Sequence, residues 1–420
     1  MTNSKLAEEK ALGTAAVYLL LFLGLTLFVL HEPARSILMK KAIFENYNLA
    51  FLIVAALAIC FLFFQECIDL RIIILSFALT GIAIITLQTQ TTKLSHYLKI
   101  IETMLMPLLI TGFRLNEGDF KRFLVKFVYL FNIIVIVMVG IGILDYFSHA
   151  AIQNFFAQHQ LFSNDQSVLV GLELKSGVYR YYSIIGHPLQ NSWYILIFYM
   201  LNTLYSRHSK PLLNEYLVTF ISMIGLLLSG SRTALITGLF MFVFLNNRKY
   251  KAVFILFLAA ICAALWNTSL FQENLMQRFI IGIWSQDASE GRNPALFTVL
   301  NGFVKAPVFF SGGGIGYSRE VTLMMGGFIK SFEYPFIMLA YDFGILDTFL
   351  IYLLILLIPI LIFLKNKSYL ILAFFLSASL YINGFNGLAN YSDMVGQLSF
   401  IIMILINISY ATRRRQEMGP

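Results

Sequence analysis

Charged residues are scarce in this chain of 420 residues. Asp, Glu, Lys and Arg make up 12% of it, hydrophobic residues make up 59%, and the mean hydropathy is +0.77. Soluble domains carry about a quarter charged residues, so these charges are too few to cover a surface that faces water. The composition therefore excludes an ordinary soluble globular protein and predicts a chain that is embedded in lipid.

Cysteines are also few, and a nucleotide-binding motif is absent. The three cysteines, Cys60, Cys67 and Cys262, lie in or beside apolar segments and lack the spacing of a metal site. The sequence has no Walker loop, which argues against ATP hydrolysis. Its long polar loops have no paired His/Asp cluster, so we expect no metal and no cofactor. A dense series of Asp and Glu through the apolar runs is missing too, which weakens the case for a proton-coupled transporter.

The chain consists instead of apolar runs that are long enough to cross a membrane. A crossing helix needs about 20 apolar residues. We predict an all-α fold, a polytopic membrane helical bundle of about 12 transmembrane helices that forms one integral membrane domain over 1–420. The run 334–364 is too long for one simple crossing and is expected to tilt or to kink near Gly344. The twelve runs are 11–30, 48–64, 70–88, 96–113, 123–147, 183–205, 212–229, 231–245, 251–266, 334–364, 368–382 and 395–411.

Lysines and arginines in the short loops predict the orientation of the bundle. With the N-terminus in the cytoplasm, twelve crossings return the basic triplet Arg413–Arg415 to the cytoplasmic side. A smaller loop, 148–182, and a large loop, 267–332, then lie on the opposite side. The segment 31–47 does not fit, because it is assigned to that opposite side and yet contains Arg35, Lys40 and Lys41. The net charge of +8 comes from residues of this kind in short loops, so we expect no nucleic-acid partner.

Polar residues interrupt one of the apolar stretches, and this break is expected near the outer face of the membrane. The stretch Ser229-Gly230-Ser231-Arg232-Thr233 divides 217–245 into halves that are short for a crossing. Two short helices are expected to meet there, and the second would offer free N–H groups beside a guanidinium. That combination suits an anion such as phosphate, which makes Arg232 and Ser231 candidate ligands. The alternative is an ordinary turn with a snorkelling arginine.

A second candidate group joins the smaller loop to the next run. Arg180 precedes two tyrosines, and an arginine beside aromatic side chains suits phosphate contact and sugar stacking. Arg180 is therefore a candidate phosphate ligand, with anchoring at the membrane interface as the alternative. His187 is expected to form hydrogen bonds at a helix start rather than to act as a catalyst, and we assign it to substrate binding.

The large loop contains further candidates. Arg292 lies in a polar stretch of this loop, where a solvated surface arginine is the alternative to a phosphate ligand. The glycine cluster within 312–316 indicates a turn, or a backbone that a bulky substrate can approach closely. Tyr317 and Arg319 follow it and are assigned to sugar binding. Glu333 stands where the loop re-enters the membrane, and it is the candidate general base that takes a proton from a hydroxyl. A salt bridge with an arginine is its alternative role.

These features, in this order, resemble the bacterial O-antigen polymerase and O-antigen ligase superfamily. Ser229–Arg232 matches a Ser-x-Ser-Arg stretch at the outer end of a span. Arg292–Gly316 matches an arginine that is followed by a short helix, a proline and a glycine-rich turn. Asp342–Gly344 matches an acidic-x-Gly pattern in the next helix. The resemblance covers roughly 175–350 in its motifs and the whole chain in its architecture, including a large periplasmic loop.

The resemblance implies a glycosyltransferase of the bacterial inner membrane. Its members transfer an oligosaccharide from undecaprenyl diphosphate to an acceptor hydroxyl at the periplasmic face, without a nucleotide or an evident need for metal. By this resemblance Arg180, Arg232 and Arg292 would bind the diphosphate, and Glu333 would deprotonate the acceptor. The expected partners are the lipid-linked oligosaccharide, membrane lipid and a chain-length regulator protein.

One position departs from the family pattern and favours the polymerase. The ligases have a histidine at the start of the helix after the large loop, and counting back from Gly344 puts Glu333 at that position. We therefore prefer a polymerase, which joins lipid-linked repeat units to one another. The ligase, which attaches finished polymer to lipid A core, is the alternative within the family. A transporter of lipid-linked sugars is the alternative from a different class.

Overall fold

The computed structural model of the chain is built from α-helices. The described residues contain no strand, and one antiparallel bridge joins Ile68 to Phe113. The structure describes residues 2–30, 34–35, 38, 48–88, 94–159, 161–162, 164–175, 177–183, 185–246, 251–268, 271–272, 276, 297–299, 301–302, 304–324, 332, 334–385, 387–390 and 392–417.

Every one of the twelve apolar runs forms helix in the structure, although some are divided. One π-helix, Ile101–Leu105, divides the fourth run, and another, Leu353–Leu357, lies in the tenth run. In chain order the helices are α1 (Thr2–Phe28), α2 (Leu49–Phe64), α3 (Leu70–Gln88), α4 (Leu94–Ile100), α5 (Met106–Ile110), α6 (Glu117–Phe147), α7 (Ala151–Gln158), α8 (Asn164–Lys175), α9 (Pro188–His208), α10 (Glu215–Ser229), α11 (Arg232–Phe244), α12 (Lys251–Leu265), α13 (Tyr317–Met324), α14 (Pro335–Phe343), α15 (Ile345–Tyr352), α16 (Ile358–Lys365), α17 (Tyr369–Asn383), α18 (Gly387–Asn390) and α19 (Ser392–Glu417).

Helices α9 and α19 form the centre of the bundle. Every residue of α9 from Gln190 to Tyr205 is buried, and so is 83% of the apolar 18-residue window of α19. Both helices carry buried polar side chains, among them Asn202 and Asn407, and a place at the centre of the bundle keeps these polar groups away from its apolar surroundings. Aromatic rings connect α19 with α1 and α6, since the Phe127 ring lies 5.2 Å from Phe400 and 5.9 Å from Phe28 between centroids.

The outer helices present apolar side chains to their surroundings. Only 33% of the apolar window of Ile345–Lys365 and 44% of that of α6 are buried within the chain. Phe64, Phe147 and Leu380 are largely exposed. Exposed apolar surface on this scale is typical of contact with lipid.

Three of the described helices are long and apolar enough to cross a membrane, namely Glu117–Phe147, Ile345–Lys365 and Asp393–Glu417. Seven shorter apolar helices accompany them. These features, judged by length and composition, are those of a helical membrane protein, and the all-α prediction is confirmed over the described residues. The number of crossings stays a prediction.

Segments that were assigned to the cytoplasm meet at one end of the bundle, which we call the basic end. Arg413 Nη1 lies 3.5 Å from Asn366 Oδ1, and Arg415 Nε lies 3.8 Å from Glu117 Oε1. The Asn407 amide donates a hydrogen bond to the Phe113 carbonyl at 3.0 Å. The chain segments near 114, 366 and 413, each of which carries basic residues, therefore lie together.

The segments assigned to the opposite side meet at the other end, which we call the Arg180 end. Here α9, α11 and α19 begin, and α10 and α17 end. The Asn48 amide at the start of α2 donates to the Thr26 carbonyl of α1 at 3.0 Å, and the Tyr194 hydroxyl of α9 donates to the Phe28 carbonyl at 3.0 Å. The two sets of loops therefore lie at opposite ends of one bundle.

The arginine that did not fit the orientation pattern has a buried acidic partner. Arg35 Nη1 lies 3.0 Å from Asp393 Oδ2, and both side chains are buried. The same nitrogen also donates to the Leu30 carbonyl at 2.8 Å. A buried pair of this kind cancels the charge of Arg35, so this residue does not count as a free positive charge in the loop. Lys40 and Lys41 lie outside the described residues.

Candidate functional site

The polar interruption in 217–245 is a junction between two helices, as predicted. Helix α10 ends at Ser229, and Gly230 follows it with a φ of +62°, a left-handed conformation that glycine adopts without strain. Ser231 then caps α11, because its hydroxyl accepts a hydrogen bond from the Ala234 N–H at 3.3 Å. Arg232 is the first residue of α11 and is half-buried. The start of this helix and a guanidinium therefore stand together.

Arg180 lies directly against this junction. Its Nε is 3.4 Å from the Ser229 carbonyl oxygen, and a Cβ added to Gly230 would lie 3.0 Å from its Cγ. Arg180 Nη1 forms an ion pair with Glu173 Oε1 at 2.9 Å. Burial, the largest single influence, lowers the pKa of the Arg180 guanidinium, but the ion pair with Glu173 and the nearby tyrosines together outweigh burial and raise this pKa above its usual value, so Arg180 stays charged.

The segment that carries Arg180 is tied to the bundle on both sides. The Tyr181 N–H donates to the Leu228 carbonyl of α10 at 2.9 Å. The Asn191 amide of α9 donates to the Tyr181 carbonyl at 2.6 Å, and the Ser183 hydroxyl donates to Asn191 Oδ1 at 2.6 Å. Backbone and side-chain bonds thus hold the segment in place, and Arg180 keeps its position at the junction.

A buried cluster of hydroxyl groups lies beneath the junction. Ser192 Oγ is 2.7 Å from Ser229 Oγ, and the Tyr381 hydroxyl donates to the Leu189 carbonyl at 2.8 Å. Ser192 and Ser231 are polar neighbours of the same tyrosine hydroxyl. Ser192 and Tyr381 were not predicted as neighbours of the site. They come from α9 and α17, and no local sequence pattern connects them with residues 229–232.

His187 caps the start of α9, which agrees with its expected role as a helix-start residue. Its Nδ1 accepts a hydrogen bond from the Leu189 N–H at 3.2 Å. In the neutral ring the proton is therefore carried by Nε2, since an accepting nitrogen has none. Arg180 is a charged neighbour of this ring. His187 and Ser231, both assigned to substrate binding, thus lie beside Arg180.

The glycine cluster of the large loop packs against the chain itself. The Gly313 N–H donates to the Tyr341 carbonyl at 2.7 Å, and the Gly314 N–H donates to the Asp342 carbonyl at 2.8 Å. A Cβ added to Gly312 would lie 2.2 Å from backbone atoms of Asp342. The absence of side chains at these glycines therefore permits a close backbone approach to residues 341–343, and an approach by substrate stays a prediction.

The acidic residue of the Asp342-x-Gly344 pattern caps the helix that follows the glycines. Its Oδ1 accepts a hydrogen bond from the Ser318 N–H at 2.7 Å, and its Oδ2 accepts one from the Gly316 N–H at 3.2 Å. Gly344, with a φ of +98°, separates α14 from α15, so the expected kink in 334–364 is present there. The side chain of Asp342, which belongs to α14, thus caps the N-terminus of α13.

The remaining candidates are only partly within the described structure. Tyr317 packs its ring against Gly313, where a Cβ would meet the ring at 1.9 Å, and Arg319 is exposed on α13. Both residues therefore lie in the first turn of α13, directly after the glycine-rich turn, and their sugar-binding roles stay predictions. Arg292 and Glu333 lie outside the described residues.

A cavity that the sequence did not indicate lies beside the glycine-rich turn. Its volume is about 170 Å³, and most of its lining is apolar. An apolar cavity of about 150 Å³ can hold a small hydrocarbon. Lys99, on its wall, forms an ion pair with the buried Glu102 at 3.0 Å. The lining residues come from four distant parts of the chain: Lys99, Thr103, Met104, Leu108, Ile315, Leu339, Asp342, Phe343, Ile351, Ile355, Leu388, Ala389 and Val395.

Similarity to known proteins assigns no function to this chain, so its own geometry has to do so. No family model, no curated protein and no solved structure matches it. Within the part of the chain that the structure describes, no group of three His, Cys, Asp or Glu side chains is arranged to hold a metal ion. The structure brings together Arg180, Ser231, Arg232 and His187. The positive charges of the arginines and the N–H groups at the start of α11 suit the binding of an anion.

Proposed function

We propose that this protein is a polymerase that transfers an undecaprenyl-diphosphate-linked oligosaccharide to the hydroxyl of another lipid-linked repeat unit. The observation that carries the proposal is the charged, nearly buried Arg180 beside the start of α11, where Ser231 and Arg232 stand. A guanidinium next to a helix N-terminus suits the oxygens of a diphosphate. The resemblance of Ser229–Arg232 to the O-antigen polymerase and ligase superfamily supports the same chemistry.

In the proposed reaction, the acceptor hydroxyl oxygen attacks the anomeric carbon of the reducing-end sugar of the donor. A glycosidic C–O bond forms, and the bond from that carbon to the diphosphate oxygen breaks. Undecaprenyl diphosphate leaves with the electron pair, and Arg180, Arg232 and Arg292 stabilise its negative charge. The hydroxyl proton passes to Glu333 as general base. No nucleotide is consumed, because the donor already carries its leaving group.

We place the Arg180 end at the periplasmic face of the bacterial inner membrane and the basic end in the cytoplasm. The argument is the positive-inside rule, since Arg114, Lys365 and Arg413–Arg415 belong to the basic end. Both termini are then cytoplasmic, and the diphosphate site opens at the level of the outer lipid headgroups. A substrate with an undecaprenyl tail can reach such a site without leaving the bilayer.

The proposal is tested with the purified full chain in detergent. Undecaprenyl-diphosphate oligosaccharide is the only substrate, no nucleotide or metal is added, and the products are sized by mass spectrometry. We expect a ladder of multiples of the repeat unit, and the same ladder from Arg413→Ala, a control arginine at the basic end. Transfer that occurs only after lipid A core is added would replace the polymerase by the ligase. Folded protein that forms no bond under either condition would overturn the enzyme and favour a transporter.

A further inference from the structure

The anion-binding position beside Arg180 is occupied by a carboxylate of the chain itself. Glu173 Oε1 lies 2.9 Å from Arg180 Nη1, and the two side chains are 21% and 14% exposed. A guanidinium that is this well covered gains from a partner of opposite charge, because burying it alone is costly. Any phosphorylated group that binds Arg180 on this side must therefore take the place of Glu173.

Glu173 belongs to a helix that is attached to the bundle by few buried side chains. On α8, Val170, Glu173 and Leu174 share the face that is turned toward the chain, as their spacing of three and four residues requires. Val170 packs in a small cluster with Phe162 and Tyr182. The other face of α8 is exposed at Val168, Leu169 and Leu172. The main helix neighbour of α8 is α7, so α8 can move without opening the core.

A glycine lies between α8 and Arg180. Gly177 has a φ of +76°, and a Cβ added to it would meet nothing within 4 Å. The Val178 N–H donates to the Glu173 carbonyl at 3.0 Å, and the Gly177 N–H donates to the Leu174 carbonyl at 3.1 Å, which is the pattern of a glycine helix stop. The absence of a side chain and the open space around it make Gly177 a position where the backbone can change conformation. Beyond it, Tyr181 is held by α9 and α10, so the arginine side of the pair is fixed and the glutamate side can move.

We infer that Glu173 is a built-in competitor for the anion site at Arg180, and that α8 is a lid which turns about Gly177 when a phosphorylated group takes the place of Glu173. The inference rests on the proposed function, which supplies the diphosphate as the displacing anion. A diphosphate carries more charge than one carboxylate and can bind a guanidinium through two parallel hydrogen bonds. The displaced Glu173 moves with α8 into the headgroup region, where water can solvate it. Arg180 is thus kept paired until substrate arrives.

The test compares binding of inorganic pyrophosphate by the full chain in detergent, measured by titration calorimetry. Glu173→Gln keeps the size of the side chain and removes its charge, so it is expected to bind pyrophosphate about tenfold more tightly than the unsubstituted protein. The matched control is Glu417→Gln. It removes the acidic partner of Arg413 from another Glu–Arg pair, at 2.6 Å, at the basic end, and its affinity is expected to be unchanged.

Hydrogen–deuterium exchange gives a readout that does not depend on the variant. In the unsubstituted protein, saturating pyrophosphate is expected to speed exchange at the amides of residues 166–175 of α8. Unchanged exchange together with equal affinity of Glu173→Gln would overturn the lid and leave the anion site of the proposed function standing. Absence of pyrophosphate binding in both proteins would overturn the anion site itself, and the lid with it.

Discussion

Two turns of this protein share a local pattern and yet have opposite surroundings. In each, glycine is followed closely by the start of a helix, at Gly230 before α11 and at Gly316 before α13. The first helix start has a serine cap and an arginine beside it. The second has the carboxylate of Asp342 on its N–H groups, and the chain's own backbone lies against its glycines.

The comparison shows that a glycine turn before a helix does not define an anion site. A helix start attracts negative charge in either case. In the second turn this demand is met by Asp342 on α14, a buried part of the same structure. In the first turn it is met by serine, a neutral cap, and the carboxylate that pairs with the neighbouring Arg180 belongs to Glu173 on the weakly attached α8. Only the first turn can therefore open to an anion from outside the chain, by displacement of Glu173.

The largest expected effect follows from filling the second turn. Gly312→Ala puts a Cβ 2.2 Å from backbone atoms of Asp342, and it is expected to destabilise the protein by about 3 kcal/mol or more, because backbone must shift. Thermal unfolding in detergent measures this. The control is Gly140→Ala, in α6 with nothing within 4 Å, which is expected to be neutral or stabilising by about 0.5–1 kcal/mol. Equal stability of the two variants would refute the packed turn.

The next effect concerns activity at the first turn. Arg180→Lys keeps a positive charge beside Glu173 but loses the planar fork that matches phosphate oxygens. Transfer of the lipid-linked oligosaccharide is expected to fall about 10²-fold, with the melting temperature nearly unchanged. The polymerisation assay measures this, with Arg413→Lys as the control at the basic end. Full activity in Arg180→Lys would remove the arginine from the site.

A smaller effect separates a structural carboxylate from a catalytic one. Asp342→Asn weakens two hydrogen bonds to backbone N–H groups and is expected to cost about 1–2 kcal/mol of stability. Transfer per folded molecule should stay the same. The two quantities are obtained from one preparation by unfolding and by the polymerisation assay. If transfer is lost while stability is kept, the second turn is part of the catalytic site.

The smallest effects come from converting the first turn into the second. Ser231→Asp keeps a good cap and is expected to preserve stability, but its carboxylate competes with the ligand and lowers pyrophosphate affinity about tenfold. Ser231→Ala removes the cap, costs about 1 kcal/mol of stability and is expected to bind pyrophosphate more tightly than Ser231→Asp does, because it adds no competing charge. Calorimetry and thermal unfolding of both variants measure the difference. Equal affinity in Ser231→Asp would place the anion elsewhere.

Features that depend on neighbours in sequence could be predicted. The break at Gly230, the cap at His187 and the kink at Gly344 each depend on residues within about four positions, since a cap or a turn is a local structure. The pairing of Arg180 with Glu173 and the presence of Tyr381 near Ser231 could not be predicted in this way. They require α8, α9, α11 and α17 to pack in one arrangement.

The sequence by itself determined where the helices run, because apolar stretches and helix caps act over a few residues. It also determined the charge that each turn carries. The tertiary structure alone decided which helix start holds a buried carboxylate and which holds an arginine, because only packing brings Asp342 to the start of α13 and Arg180 to the start of α11. An anion can bind at a helix start only if no acidic side chain of the protein permanently compensates the positive charge there. Such a side chain can come from a distant part of the sequence, as Asp342 does for α13.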